Sequence, residues 1–261
     1  MEVIIRPDAD AAAELCAQLL ADALRAKPRM VLGLATGRTM ERLYARLAAM
    51  HTEEGLDFSQ AASFNLDEYI GLAGDDPDSY RMYMQRHLFG RVNIDPRNTH
   101  LPDGAAADPD EECERYEALI EQHGGIDFQL LGIGRTGHIG FNEPLSAMLS
   151  RTRCKALTPE TLAQNAGQFA DPSRMPKRAM TMGVGTILDT KRAILLATGE
   201  EKAAIIAKAV EGPITSMISA SALQLHPHCT VIIDEPAAAK LEQREYYRWI
   251  FENEPEWEPY R

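Results

Sequence analysis

Short apolar, often β-branched runs alternate along the chain with longer Ala- and Leu-rich segments whose apolar residues recur every three or four positions. That alternation of buried strands with amphipathic helices is the pattern of a parallel α/β sheet. Val3 to Ile5 reads as a strand. A helix capped by Asp8 or Asp10 then runs to about Lys27 with Leu15, Leu19, Leu20 and Leu24 on one face. Met30 to Leu34 is a short buried strand that stops at Ala35-Thr36-Gly37-Arg38-Thr39, before a helix starting at Met40, and Ala61 to Asn65 is another strand. Ser79 to Leu88 and Pro109 to His123 read as helices. Arg91 to Ala107 between them is mostly loop, with Val92 to Ile94 as a brief extended piece. Phe128 to Leu131 is a strand, Leu145 to Gln168 has no clean period, and Ala179 to Leu188 reads as a strand leading to a Gly turn. A buried strand from Ala193 to Thr198 precedes a helix from Gly199 to about Val210, and Thr230 to Asp234 is the last strand. Tyr246, Tyr247, Trp249 and Phe251 near the C-terminus are read as packing against the body or another subunit. No repeat or linker divides the chain, so one domain over residues 1–261 is expected.

Charge narrows the range of ligands. With 27 Lys and Arg against 39 Asp and Glu, the net charge of -12 argues against nucleic acid or an anionic membrane as partner. Any anionic ligand therefore needs a locally positive pocket. The first residues lack a basic segment followed by an apolar one, and no run of about 18 apolar residues occurs elsewhere. A soluble, cytoplasmic protein is the expectation. Cys16, Cys113, Cys154 and Cys229 are scattered without metal-ligand spacing and read as reduced thiols rather than a disulfide framework or zinc site.

The chemistry-bearing stretches sit where strands end. Leu130 to Pro144 breaks from an apolar run into Gly132, Gly134, Gly137 and Gly140 and carries His138 with Glu143 five residues on. A carboxylate folded back onto an imidazole fixes its tautomer and suits it to proton transfer. Thr36, Gly37 and Thr39 join a strand to a helix N-terminus, where unpaired N–H groups and the helix dipole favour an anion such as phosphate. An ordinary βα turn is the plainer reading of that stretch. Asp67 and Glu68 follow a strand, where one carboxylate can enter a pocket while the other serves the scaffold, or both can be solvated. Lys202 opens a helix, a position the dipole disfavours for a cation unless an anion is present. Ser146, Arg151, Arg153 and Lys155 make the patternless stretch basic, as an anion-binding lobe or a solvated face.

Ser63-Phe64-Asn65-Leu66-Asp67-Glu68-Tyr69-Ile70-Gly71-Leu72, Gly137-His138-Ile139-Gly140-Phe141-Asn142-Glu143-Pro144, Thr181 to Thr186 and Leu223 to Pro227 together resemble the glucosamine-6-phosphate deaminases, within the wider family that includes 6-phosphogluconolactonase. The resemblance spans nearly the whole chain. It implies a modified Rossmann-like three-layer sandwich with a mostly parallel central sheet. It also implies ring opening, aldose–ketose isomerisation and ammonia release from an amino sugar phosphate, giving fructose 6-phosphate without metal or cofactor. By the same resemblance Asp67 is the base between C2 and C1, and His138 with Glu143 opens the ring. Thr36, Gly37, Thr39 and Lys202 surround the phosphate. The family's hexamers, activated by N-acetylglucosamine 6-phosphate, imply a homo-oligomer and allosteric positions at Ser146, Arg153 and Lys155. Three departures stand out. Thr136 replaces the Asp usual before Gly137-His138, Arg38 and Met40 replace a usual Gly and Pro, and Gly167 stands where an Arg usually binds phosphate. Thr136 is thereby a candidate beside His138, and Arg38 and Arg135 are the candidate replacement donors, with Gly137 also expected at the substrate. A galactosamine-6-phosphate deaminase, a 6-phosphogluconolactonase-like hydrolase and a non-catalytic sugar-phosphate sensor are the alternatives.

Overall fold

The computed structural model describes residues 1–261. β1 (Glu2–Arg6) leads to α1 (Ala9–Ala26), which is capped by Asp8 rather than Asp10 through a 2.8 Å bond accepted from the Ala11 N–H. Leu15, Leu19, Leu20 and Leu24 are all buried. At about 1.5–3 kcal/mol per buried Leu against about 1 kcal/mol for a cap, that face and not the cap docks the helix. β2 (Val31–Leu34) feeds α2 (Arg38–Glu54), and β3 (Ala62–Asn65) is followed after the single residue Leu66 by β4 (Asp67–Tyr69). Then come α3 (Tyr80–His87), β5 (Thr99–His100), α4 (Pro109–Gln122) and β6 (Phe128–Leu131). β7 (Arg153–Ala156), α5 (Pro159–Asn165), β8 (Arg178–Thr181) and α6 (Val184–Leu188) fill the central stretch. β9 (Ala193–Ala197), α7 (Ala203–Val210), β10 (Cys229–Asp234) and α8 (Arg244–Asn253) complete the chain.

Seven strands form an all-parallel sheet in the order β1-β10-β9-β6-β2-β3-β5. The expected mostly parallel α/β architecture is thus observed. From β2 the chain builds outward through β3 and β5, then returns to lay β6, β9 and β10 on the other side. β2 and β6 therefore flank the topological switch, where connections diverge and leave a crevice beyond the strand C-termini. A second, three-stranded antiparallel sheet, β4-β8-β7, is joined to the first through Leu66, whose carbonyl accepts from the Met182 N–H at 2.7 Å.

Several expectations are corrected. Val92 to Ile94 joins no ladder, and the edge strand is β5, paired through Ser63 with Thr99 and Phe64 with His100. The Asn93 side chain is instead occupied in holding the Phe58 N–H and Asp57. α2 begins at Arg38, two residues before Met40, with Gly37 as its N-cap. Gly183 caps a short helix, α6, rather than ending in a turn alone. The patternless stretch contains β7 and α5. On α8 the aromatics divide: Tyr247 and Phe251 pack on the core, with Arg6 over the Phe251 ring, whereas Tyr246 and Trp249 are exposed. His226 is buried with Nε2 2.7 Å from the Thr190 carbonyl, a structural contact. No helix is long and apolar enough to cross a membrane.

Candidate active site

A cleft of about 300 Å³ opens beyond the C-terminal ends of β2 and β6. Thr36 to Met40 form one wall, Gly132 to Arg135 with His138 another, and Asp67, Lys202, Tyr80, Phe141 and the α5 region close the rest. Segments far apart in sequence meet here because the switch point places both strand exits side by side.

One wall is built for an anion. Gly37 adopts φ 116, which glycine reaches without a β-carbon penalty, and turns β2 into α2 so that Arg38 is the first helical residue. The N–H groups of Arg38 and Thr39 have no acceptor within the protein, as expected of a first helical turn. The Tyr83 hydroxyl donates to the Gly37 carbonyl at 2.9 Å and steadies the turn. Opposite, the Lys202 ammonium donates to the Ile133 carbonyl at 2.8 Å, and burial lowers its pKa against the pull of Glu201. Arg135 binds Gln164 through its backbone N–H, leaving its guanidinium uncommitted. Arg46, Arg115 and Arg151 elsewhere are paired with carboxylates, but Arg38, Arg135 and Lys202 are not. Three unpaired cations facing one cleft of a net-acidic protein give that wall the local charge to hold an anion.

The second wall holds an imidazole paired with a carboxylate, an arrangement suited to proton transfer. The His138 ring lies against the Gly134 backbone so closely that a β-carbon there would fall 2.1 Å from Nε2, so Gly134 is required by packing. His138 Nδ1 is 2.7 Å from Thr136 Oγ1 and 3.3 Å from Glu143 Oε2, and the Thr136 hydroxyl is 3.4 Å from the same oxygen. With Nδ1 turned to this pair, Nε2 is the nitrogen left for the cleft. The other carboxylate oxygen, Oε1, accepts from the Thr158 N–H at 3.0 Å and its hydroxyl at 3.2 Å, at the N-cap of α5. Burial pushes the Glu143 carboxyl up, but hydrogen bonds from His138, Thr161 and Thr158 outweigh it and hold the pKa at about 2. Glu143 is therefore a fixed carboxylate that orients the imidazole.

Asp67 and Glu68 separate because successive residues of a strand face opposite ways. Glu68 accepts from the Tyr69, Tyr80 and Arg81 N–H groups at 2.9, 3.0 and 3.0 Å, tying β4 to the start of α3. Asp67 faces the cleft, is 6 % exposed, and receives no hydrogen bond from the protein. Burial, with a smaller contribution from Glu68, raises its pKa to about 8. A carboxyl so placed exchanges a proton near neutral pH, the property of a general base.

Thr36, Arg38, Thr39, Asp67, Arg135, His138 and Lys202 are thus brought together, with Thr136 and Glu143 behind the imidazole. Gly137 is not at the cleft: a β-carbon on it would meet Ile218 and Ile205, so it shapes the loop instead. Ser146, Arg153 and Lys155 also stand apart, Arg153 reaching the Asn142 side chain at 2.9 Å on the turn that carries Glu143. Sequence reasoning missed Tyr80, Phe141, Gln164, Asn165 and Gln168, which line the cleft. Gln164, Asn165 and Gln168 left a trace, a cluster of amides in a stretch without apolar period.

The family model of glucosamine-6-phosphate isomerases/6-phosphogluconolactonase matches residues 8–232. A glucosamine-6-phosphate deaminase of Shewanella loihica is 52% identical over 250 residues, covering 96% of this chain and 93% of that protein. One from Streptomyces coelicolor is 47% identical over 259 residues, 99% of each chain. Among solved structures, a monomeric glucosamine-6-phosphate deaminase superposes with a TM-score of 0.90 at 44% identity, covering 92% of this chain and 100% of its own. A 6-phosphogluconolactonase from Trypanosoma cruzi has a TM-score of 0.74 at 19% identity over 92% and 97% of the two chains, a likeness of fold alone.

Proposed function

Because this chain belongs to the family of glucosamine-6-phosphate isomerases and 6-phosphogluconolactonases, we propose that it is a glucosamine-6-phosphate deaminase. The phosphate sits among the open N–H groups of the β2–α2 turn and the three unpaired cations. His138, held by Thr136 and Glu143, moves a proton from the anomeric hydroxyl to the ring oxygen and opens the sugar. Asp67 takes the proton from C2 and returns it to C1, which turns the 2-amino aldose into a ketimine. Water adds to the ketimine carbon and ammonia leaves, giving fructose 6-phosphate. The observation that carries this reading is the convergence of Asp67 and the His138–Glu143 pair on one cleft that also holds three unpaired cations. A sensor has no use for an isolated buried carboxyl titrating near neutrality, and the named deaminase relatives disfavour a hydrolase. The test is ammonia release from glucosamine 6-phosphate, galactosamine 6-phosphate and glucosamine, beside hydrolysis of 6-phosphogluconolactone. Ammonia from glucosamine 6-phosphate is expected, and lactone hydrolysis without ammonia would overturn the proposal.

Against the homo-oligomer expected from the resemblance stands the monomeric glucosamine-6-phosphate deaminase of the same fold, and a monomer is therefore proposed for this chain, with sedimentation of the active protein as the check. Ser146, Arg153 and Lys155 are proposed as a separate regulatory anion site. Their support is that Ser146 Oγ and Arg153 Nη2 are buried without a partner. A shift in the substrate saturation curve with N-acetylglucosamine 6-phosphate would test it.

Thr136 has its own expected outcome. Replacing it by Val removes the hydroxyl that lies between His138 Nδ1 and the Glu143 carboxylate, and a bond to a charged group is worth about 1.5–3 kcal/mol. The specificity constant should fall about tenfold to a hundredfold, while Thr136→Ser keeps most of it. Equal activity of the Val and Ser variants would remove Thr136 from the machinery.

A further inference from the structure

Arg38, which lines the cleft, reaches toward Gly167. Gly167 lies in the 3₁₀ turn Ala166–Gln168 that follows α5, and Arg38 is the first residue of α2. A β-carbon built on Gly167 would have one neighbour within 4 Å, the Arg38 Nη2 at 3.9 Å. Gly167 is outside the positive-φ region, so neither backbone conformation nor crowding demands glycine there. The Arg38 guanidinium thus lies beside open space at Gly167. It has no carboxylate partner, and it is rooted on the turn whose Arg38 and Thr39 N–H groups have no acceptor.

Resting on the deaminase reading, we infer that Arg38 is the guanidinium that binds the substrate phosphate, and that positions 38 and 167 are alternative origins for that one cation. A phosphate against the first turn of α2 takes two backbone donors and the helix dipole, and a guanidinium rooted on the same turn adds charge-assisted, bidentate contacts without another segment having to move. Lys202, engaged with the Ile133 carbonyl, supplies a second charge from the opposite wall. An Arg at position 167 would approach the same volume from the α5 side. With Arg38 present that role is filled, and the small residue keeps the two from colliding.

The experiment compares the parent with Arg38→Gly, Gly167→Arg and the double variant. KM and kcat for glucosamine 6-phosphate are measured, together with inorganic phosphate as inhibitor and ligand and thermal melting as a folding control. Arg38→Gly should raise KM and the phosphate Kd about tenfold to a hundredfold, with kcat within a few-fold of the parent. The double variant should recover most of that loss. An unchanged KM and phosphate Kd in Arg38→Gly, or a folded double variant no better than it, would overturn the inference. Absence of ammonia release from the parent would instead count against the deaminase reading, while phosphate titration of the same four proteins still tests the cation.

Discussion

Asp67→Asn is expected to lower turnover of glucosamine 6-phosphate by about 10²–10⁴-fold, the usual worth of a general base, with KM little changed. The side chain keeps its size and loses only the ability to take the C2 proton. The same variant should be more stable than the parent. A carboxyl whose folded pKa is raised from 3.8 to about 8 binds its proton more tightly in the native state than in the unfolded one. Its contribution is therefore complete at acid pH and is lost as pH rises through that window. Asn makes no such loss, so its advantage should be absent near pH 4 and reach the order of a few kcal/mol by pH 8. The parent's kcat/KM should rise as pH increases through about 8, since the base must be ionised. Near-parental turnover in Asp67→Asn, or a stability difference independent of pH, would remove Asp67 from the role.

His138→Ala and Glu143→Gln should each cost about 10²–10⁴-fold on the cyclic substrate and far less on an open-chain analogue. Ring opening needs a proton carried between two oxygens, and the step on carbon that follows uses Asp67. The Glu143 carboxylate also has a separable effect on the fold. Its pKa of about 2 lies below the ordinary value of 4.5, so it contributes stability above that value which is lost as pH falls toward 2. Glu143→Gln should flatten this acid limb. Equal losses on cyclic and open-chain compounds would assign the pair to later chemistry or to the scaffold.

The parts of this site legible in the sequence are local ones. A strand ending in glycines, a Thr- and Gly-bearing turn between a strand and a helix, and a His followed closely by Glu are each decided within a dozen residues or so by backbone sterics. What escaped depends on distant partners. β4 and β7 are three and four residues long and pair only with β8, from remote segments, so neither carries a period of its own. Thr99 and His100 form an edge strand because β3 offers them a ladder, whereas the more β-like Val92 to Ile94 has none. α2 starts at Arg38 because Gly37 caps by conformation rather than by a side chain, which no hydroxyl or carboxylate announces. The bond from Thr158 to Glu143, and the meeting of Gly167 with Arg38, exist only once the second sheet has folded over the first.

Leu66, the lone residue between β3 and β4, makes chain length at this point a matter of parity. A strand presents alternate residues to alternate faces, and the register is held against both sheets, by the Leu66 N–H on the Leu34 carbonyl and by Asp67 opposite Thr181 in β8. One inserted or deleted residue here would turn Glu68 toward the sugar and Asp67 toward α3. Two acids would remain, each in the other's office, with the longer one at the chemistry. Most surface connections in such a protein drift freely in length over evolutionary time. This one is open to substitution but closed to any odd change in length.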